Sequence, residues 1–148
     1  MNTKRITEAY PLDLLLLADP SEKLVKQYVG RGECFIAEQN GRTIGVYVLL
    51  PTRPETVELV NVAVAEQQQG KGIGKALILD AIEKAKQQGY KIMEIGTGNS
   101  SIGQLALYQK CGFRITGVDK DFFLLHYEAE IIENGIACVD MIRLTMKL

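Results

Sequence analysis

The segment Gln69-Gly70-Lys71-Gly72-Ile73-Gly74-Lys75 combines glycines and lysines directly ahead of a helical, amphipathic run. Glycine removes side-chain obstruction, so consecutive backbone N–H groups can converge on one anion while a helix N-terminus adds favourable potential. Such a loop suits a diphosphate. Spacing then narrows the ligand. A Walker A loop needs glycine where Gln69 stands and Ser or Thr after the lysine, but Ala76 has no hydroxyl to offer magnesium. Nucleotide hydrolysis is disfavoured. The dinucleotide pattern GxGxxG needs glycine where Lys75 stands, although Glu94 lies near the right distance for a ribose contact. A glycine-rich helix start with no ligand is the plainer alternative.

Two further patterns bear on the choice. Gln69-x-x-Gly72-x-Gly74 has the form Q/R-x-x-G-x-G/A, with the strand end Val62-Ala63-Val64 five residues before it, and Leu107-Tyr108-Gln109-Lys110-Cys111-Gly112-Phe113 follows as LY-x-K-x-GF. With both motifs in order, the chain resembles the GNAT family of N-acetyltransferases over nearly its whole length. The resemblance implies acetyl-CoA as acetyl donor and no metal. It assigns the backbone of Val62, Ala63 and Val64 to the pantetheine arm and the thioester carbonyl. Gly70, Lys71, Gly72, Ile73, Gly74 and Lys75 would hold the pyrophosphate through main-chain N–H groups, and Gln69 at the head of the motif counts among the cofactor-binding residues. Tyr108 matches the tyrosine that protonates the departing CoA thiolate in many members. The family often has Asn seven residues before that tyrosine; here Ser101 stands there and Asn99 lies two residues earlier. Either would contact the cofactor, or Asn99 would only form the turn.

Acetyl transfer to an amine needs a neutral amine, a polarised carbonyl and a proton for the thiolate. A preorganised backbone N–H can polarise the carbonyl, and a phenol with pKa near ~10 can supply the proton. Glu58, on the strand before the loop, is the candidate general base, acting directly or through water; an exposed strand carboxylate is the equal alternative. Strict alternation puts Asn61 on the opposite face from Glu58 unless a bulge intervenes. The single histidine, His126, reads as a surface or packed residue before it reads as a base. Cys111 lacks an activating neighbour and reads as a structural thiol. Phe122, Phe123 and Tyr127 either line an acceptor pocket or fill core. Asp119, Asp121, Glu128, Glu130 and Glu133 surround one cation, Lys120, and read equally as a rim attracting cationic amines or as a solvated face.

The elements that must position these groups follow from periodicity. Helices are expected over Pro11 to Leu17 and Glu22 to Val29, the second begun by Asp19-Pro20-Ser21. Glu33 to Glu38 and Thr43 to Leu50 flank Asn40-Gly41 as a hairpin, Pro51 and Pro54 bound a turn, and Val57 to Val64 is the next strand. Ile73, Leu77, Ile78, Ala81, Ile82 and Ala85 share one helical face up to Gly89. Lys91 to Thr97 is then a strand, Ser101 to Lys110 a helix, and Phe113 to Val118 and Ala137 to Met146 close the sheet. The expected fold is mixed α/β, a mainly antiparallel twisted sheet flanked by helices, with a parallel crossover between the third and fourth of these strands.

A chain of 148 residues with 47% hydrophobic and 24% charged content fits one compact domain, 1–148, that buries ~70% of its unfolded surface without staples. Net charge is -1 with no basic stripe, so nucleic acid is not an expected partner. Apolar runs such as Leu14 to Ala18 are too short to cross a bilayer, and no signal peptide opens the chain, which predicts a cytoplasmic protein. Cys34, Cys111 and Cys138 form no CxxC pair, so neither a disulfide framework nor a zinc site is expected. The reading is an acetyl-CoA-dependent N-acetyltransferase acting by direct attack of a primary amine, first of a small molecule. A protein N-terminus is the alternative acceptor, because the strand Glu58-Leu59-Val60-Asn61-Val62-Ala63-Val64 resembles that of members acetylating such termini. A noncatalytic acyl-CoA sensor is the rival from another class, and a dinucleotide oxidoreductase is third. A homodimer is expected by analogy with similar folds.

Overall fold

A computed structural model describes residues 1–148, and it divides into two compact units, Met1–Met93 with Leu148 and Glu94–Lys147. Both contribute to a mixed α/β fold whose sheet is mostly antiparallel and flanked by helices. No helix is long and apolar enough to cross a membrane.

The first unit holds β1 (Thr3–Ile6), α1 (Leu12–Ala18), α2 (Glu22–Val29), β2 (Glu33–Gln39), β3 (Arg42–Arg53), β4 (Thr56–Val64) and α3 (Ile73–Gln87). Its strands pair in the order β1-β2-β3-β4, every pairing antiparallel. Asn40 and Gly41 both take positive φ, +53° and +76°, which gives the two-residue turn whose twist matches the β2–β3 hairpin. Alternation then sorts the side chains. Cys34, Ile36, Val46, Val48 and Ala63 face Leu14, Leu15, Val25, Tyr28 and Val29 of α1 and α2. On the opposite face Phe35 and Tyr47 stack at 5.0 Å beneath α3, which buries Leu77, Ile78, Ala81, Ile82 and Ala85. Each large apolar side chain so buried contributes about 1.5–3 kcal/mol.

α3 is also fastened by one polar cluster. Asp80 Oδ2 accepts from Tyr47 OH at 2.6 Å and from Thr3 Oγ1 at 2.7 Å, with Lys84 Nζ at 3.3 Å. Burial pushes the Asp80 carboxyl up, but the Tyr47 and Thr3 hydrogen bonds and the Lys84 charge outweigh it and leave its pKa below the usual range. The helix that begins at the glycine loop is thereby tied to β1 and β3.

The second unit takes up β5 (Ile92–Gly98), whose first residues lie in the first unit, and adds α4 (Ile102–Lys110), β6 (Arg114–Asp119), α5 (Phe122–His126), β7 (Ile132–Glu133), β8 (Ile136–Ala137) and β9 (Met141–Lys147). β9 lies between β5 and β6, and β7 and β8 form a separate hairpin.

The structure departs from the sequence expectations at several elements. β1, α5 and β7 were without a periodic signal because each has five residues or fewer. β3 runs past Leu50 through Pro51 to Arg53, with an irregular register between Pro51 and Arg53; a proline lacks the N–H a regular ladder needs. The expected strand Ala137 to Met146 is split, because the amides of Val139 and Asp140 donate to Asn99 Oδ1 at 2.8 and 3.0 Å instead of to a ladder.

Candidate active site

Within the first unit, β4 leads through a short turn at Glu66–Gln68 into the glycine loop. Gln69 Nε2 donates to the Val64 carbonyl at 3.1 Å, so the glutamine side chain ties the loop back to the strand end. Gly70 and Gly72 sit in the left-handed region, φ +79° and +80°, and a Cβ at either would meet no protein atom within 4 Å. Two left-handed glycines around Lys71 bend the chain so that successive amides turn to one side. The first amide bonded inside α3 is that of Ala76, to Gly72 O at 3.1 Å, which leaves those of Ile73, Gly74 and Lys75 ahead of the helical ladder. The cradle fits a phosphate group: open space, aligned donors and the positive end of a fifteen-residue helix.

β4 carries the other first-unit candidates. Val62, Ala63 and Val64 pair with Tyr47, Val46 and Gly45 of β3, and an antiparallel ladder uses only alternate peptide groups toward any one neighbour. The pairing Val48↔Asn61 is followed by Leu49↔Leu59, so Val60 is an extra residue and β4 is bulged there. This bulge corrects strict alternation. Glu58 lies opposite Leu50 and Asn61 opposite Val48, which puts both on the face covered by α1 and α2. Asn61 is 4% exposed. Its Nδ2 donates to Leu15 O at 3.0 Å and to Tyr28 OH at 2.9 Å, and Tyr28 OH donates to Asp19 Oδ2 at 2.9 Å. Burial drives the Tyr28 phenol well above its ordinary pKa against the Asn61 hydrogen bond, and the charges of Asp19 and Glu58 add to the rise. Glu58 is half-buried. Sequence reasoning had no means of finding Tyr28 or Asp19, whose approach to β4 is long-range.

Within the second unit, Tyr108 is buried on α4, edge-on to Phe113 at 6.4 Å. Burial first, and Cys111 second, push its phenol up to about 12. Asn99 is committed to structure: besides accepting from Val139 and Asp140, its Nδ2 donates to Ala137 O at 3.0 Å. Ser101 precedes α4 without capping it and donates instead to Glu133 Oε1 at 2.8 Å, which Ser100 also approaches at 3.3 Å. Phe122, Phe123 and Tyr127 form a ring cluster with centroids 5.2 to 6.4 Å apart, and exposed His126 lies tilted against Phe122 with centroids 4.6 Å apart. The acidic segment is partly neutralised: Arg143 grips Asp119 at 2.6 and 2.7 Å, and Glu133 receives the two serines. No group of three or more His, Cys, Asp or Glu side chains is arranged to hold a metal ion.

A model of the acetyltransferase (GNAT) family matches residues 5–113. The chain belongs to the GNAT acetyltransferase family. The match takes in the glycine loop, β4 and the Tyr108 motif. This acetyltransferase is 63% identical over 136 residues, 92% of its length and 88% of the relative's, to the uncharacterized N-acetyltransferase YvbK of Bacillus subtilis (strain 168). A structure described as an IAA acetyltransferase from Bacillus cereus ATCC 14579 superposes with TM-score 0.96 at 61% identity, covering 99% of both chains. A GNAT family acetyltransferase from Elizabethkingia anophelis, solved with acetyl-CoA bound, superposes at TM-score 0.97 with 54% identity, covering 99% of this chain and 97% of that one.

Proposed function

We propose that the protein moves the acetyl group of acetyl-CoA directly to a primary amine, first of all a small molecule, and that residues 1–148 act as one acetyltransferase domain. The observation that carries the proposal is the pair of left-handed glycines, Gly70 and Gly72, opening α3 onto unfilled space. Family membership and the acetyl-CoA bound to the Elizabethkingia relative support the ligand. The amides of Gly70 to Lys75 take the diphosphate, Gln69 holds the loop to Val64, and Val62 to Val64 offer backbone groups to the pantetheine arm and the thioester carbonyl.

The amine nitrogen uses its lone pair to form the new N–C bond while the C–S bond breaks and its electron pair leaves with sulfur. Glu58 takes the proton lost from nitrogen, and Tyr108 gives one to the thiolate. Burial suits Tyr108 to this role: with its pKa pushed up to about 12, the phenol stays protonated at every working pH, ready when charge develops on sulfur. Asn99 and Ser101 shape the loop after β5 through side-chain hydrogen bonds within the protein.

The test is a panel of small amines, peptide N-termini and IAA, each with acetyl-CoA, reading free thiol. Acceptor-dependent thiol release from small amines is expected. Binding of acetyl-CoA with no release for any acceptor would replace the enzyme by an acyl-CoA sensor, and release with peptides alone would move the acceptor class to protein N-termini.

A further inference from the structure

The sheet ends on β6, which is last in the strand order and pairs along one edge with β9. Its side chains lie open: Arg114, Ile115, Thr116, Val118 and Asp119 are exposed, Ile115 by 51% and Val118 by 56%. An end strand presents unpaired N–H and C=O groups to any strand that can match them, and proteins commonly guard such an edge with charge, lysine above all. β1, the other end strand, is guarded in this way by Lys4 and Arg5, which pair with Glu38 and Glu33 at 2.8 and 3.3 Å. β6 instead sets two exposed apolar side chains between its terminal charges, in the order Arg114-Ile115-Thr116-Gly117-Val118-Asp119. Reversed, that order complements itself, cation to anion and apolar to apolar.

Register decides whether the match can be made. A two-fold axis perpendicular to a sheet sets each residue opposite one on the same face, so in a regular strand two residues three apart cannot oppose each other. β6 is irregular at the place that matters. Ile115 lies opposite Leu144 and Gly117 opposite Arg143, which makes Thr116 an extra residue. Ile115 and Val118 consequently share a face with Leu144 and Ile142 of β9, and Leu144 is fully buried. With the axis at Gly117, Ile115 of each copy meets Val118 of the other and Arg114 meets Asp119. Gly117 brings no side chain to the axis, and the space where its Cβ would stand is open. Asp119 Oδ2 already holds Arg143 at 2.6 and 2.7 Å, and a carboxylate has lone pairs for a second guanidinium.

We propose that β6 pairs antiparallel with β6 of a second copy of this chain, about a two-fold axis at Gly117. Backbone hydrogen bonds hold the two edges together, the Ile115 and Val118 side chains cover one another, and the two Arg114–Asp119 pairs fix the register. The occupant is a second copy because the charges and apolar side chains of β6 match their own reversed order. The proposal is independent of the acetyl-transfer reading.

The experiment follows the full chain by sedimentation velocity over a concentration series, for the wild type, Arg114→Glu, Asp119→Lys and Ile115→Lys, with thermal melts to verify that each variant is folded. Arg114→Glu sets carboxylates opposite one another at both ends of the pairing, and Asp119→Lys does the same with cations. Each variant alone should raise the dimer dissociation constant roughly tenfold or more, since a favourable cross-strand pair becomes a repulsive one twice per dimer. An equal mixture of Arg114→Glu and Asp119→Lys should recover the dimer, because each cation then faces a carboxylate at both ends. Ile115→Lys leaves the Asp119–Arg143 pair in place and should weaken the dimer as well. A wild type that stays monomeric throughout the series, a dimer that no β6 variant weakens, or a mixture no more dimeric than its components would each overturn the proposal.

Discussion

Gly72→Ala separates the two roles a left-handed glycine plays in this loop. With φ +80° and no protein atom within 4 Å of the added Cβ, the free protein meets backbone strain and no clash. A side-chain-bearing residue in the left-handed region costs about 1–2 kcal/mol. For a chain of this size that lowers Tm by ~2–8 °C. The bound state suffers differently, since the new methyl group occupies space that the diphosphate would use. If it displaces two charge-assisted N–H bonds worth about 1.5–3 kcal/mol each, acetyl-CoA affinity falls by ~10²–10⁴-fold. Gly41 provides the matched control, because it has φ +76°, equally open space and a place in the β2–β3 turn. Gly41→Ala should lower Tm by a similar amount and leave affinity untouched. Titration calorimetry with acetyl-CoA and thermal melts of both variants provide the measurements. Equal acetyl-CoA affinity in folded Gly72→Ala and Gly41→Ala would refute the placement of the diphosphate at this loop.

Two further perturbations address the proton donor and the anchor of α3. Tyr108→Phe should lower kcat about a hundredfold or more while acetyl-CoA affinity changes little. Because burial raises the wild-type phenol to about 12, the wild-type rate should show no falling limb from Tyr108 up to pH 10. A limb near pH 10 that vanishes in Tyr108→Phe would contradict that burial. Asp80→Asn should destabilise the protein by about 2–3 kcal/mol at pH 7, since hydrogen bonds to a charged group are the stronger ones. The Asp80 pKa is lowered in the folded state, so its contribution is present above the unfolded value of 3.8 and is lost as pH falls through the folded value. Melts of wild type and variant should therefore converge in strong acid, and a gap that persists there would show that Asp80 acts by shape rather than charge.

Much of the site was legible in the chain because its signals are local. A glycine's left-handed backbone, the Asn40-Gly41 turn, the apolar stripe of α3 and the Ser21 cap, whose Oγ accepts from Leu24 N at 3.2 Å, each depend on a few neighbouring residues. The order of Gln69-x-x-Gly72-x-Gly74 and Leu107 to Phe113 was enough to indicate the family. Other features depend on partners far along the chain. Asp80 meets Thr3 across 77 positions and Asn61 meets Leu15 across 46, and no window of sequence contains both members of either pair. The bulge at Val60 belongs to the same class: the residues Thr56 to Val64 alternate as an ordinary strand, and only the register against β3 reveals the extra residue. That single register shift decides that Glu58 and Asn61 share a face, because side chains along a strand alternate with period two and one inserted residue reverses every assignment beyond it. Asn99 shows the same division. Its place two residues ahead of Ser101 was plain in the sequence, whereas its capture of the Val139 and Asp140 amides, which splits the last strand, exists only once the chain has folded back on itself.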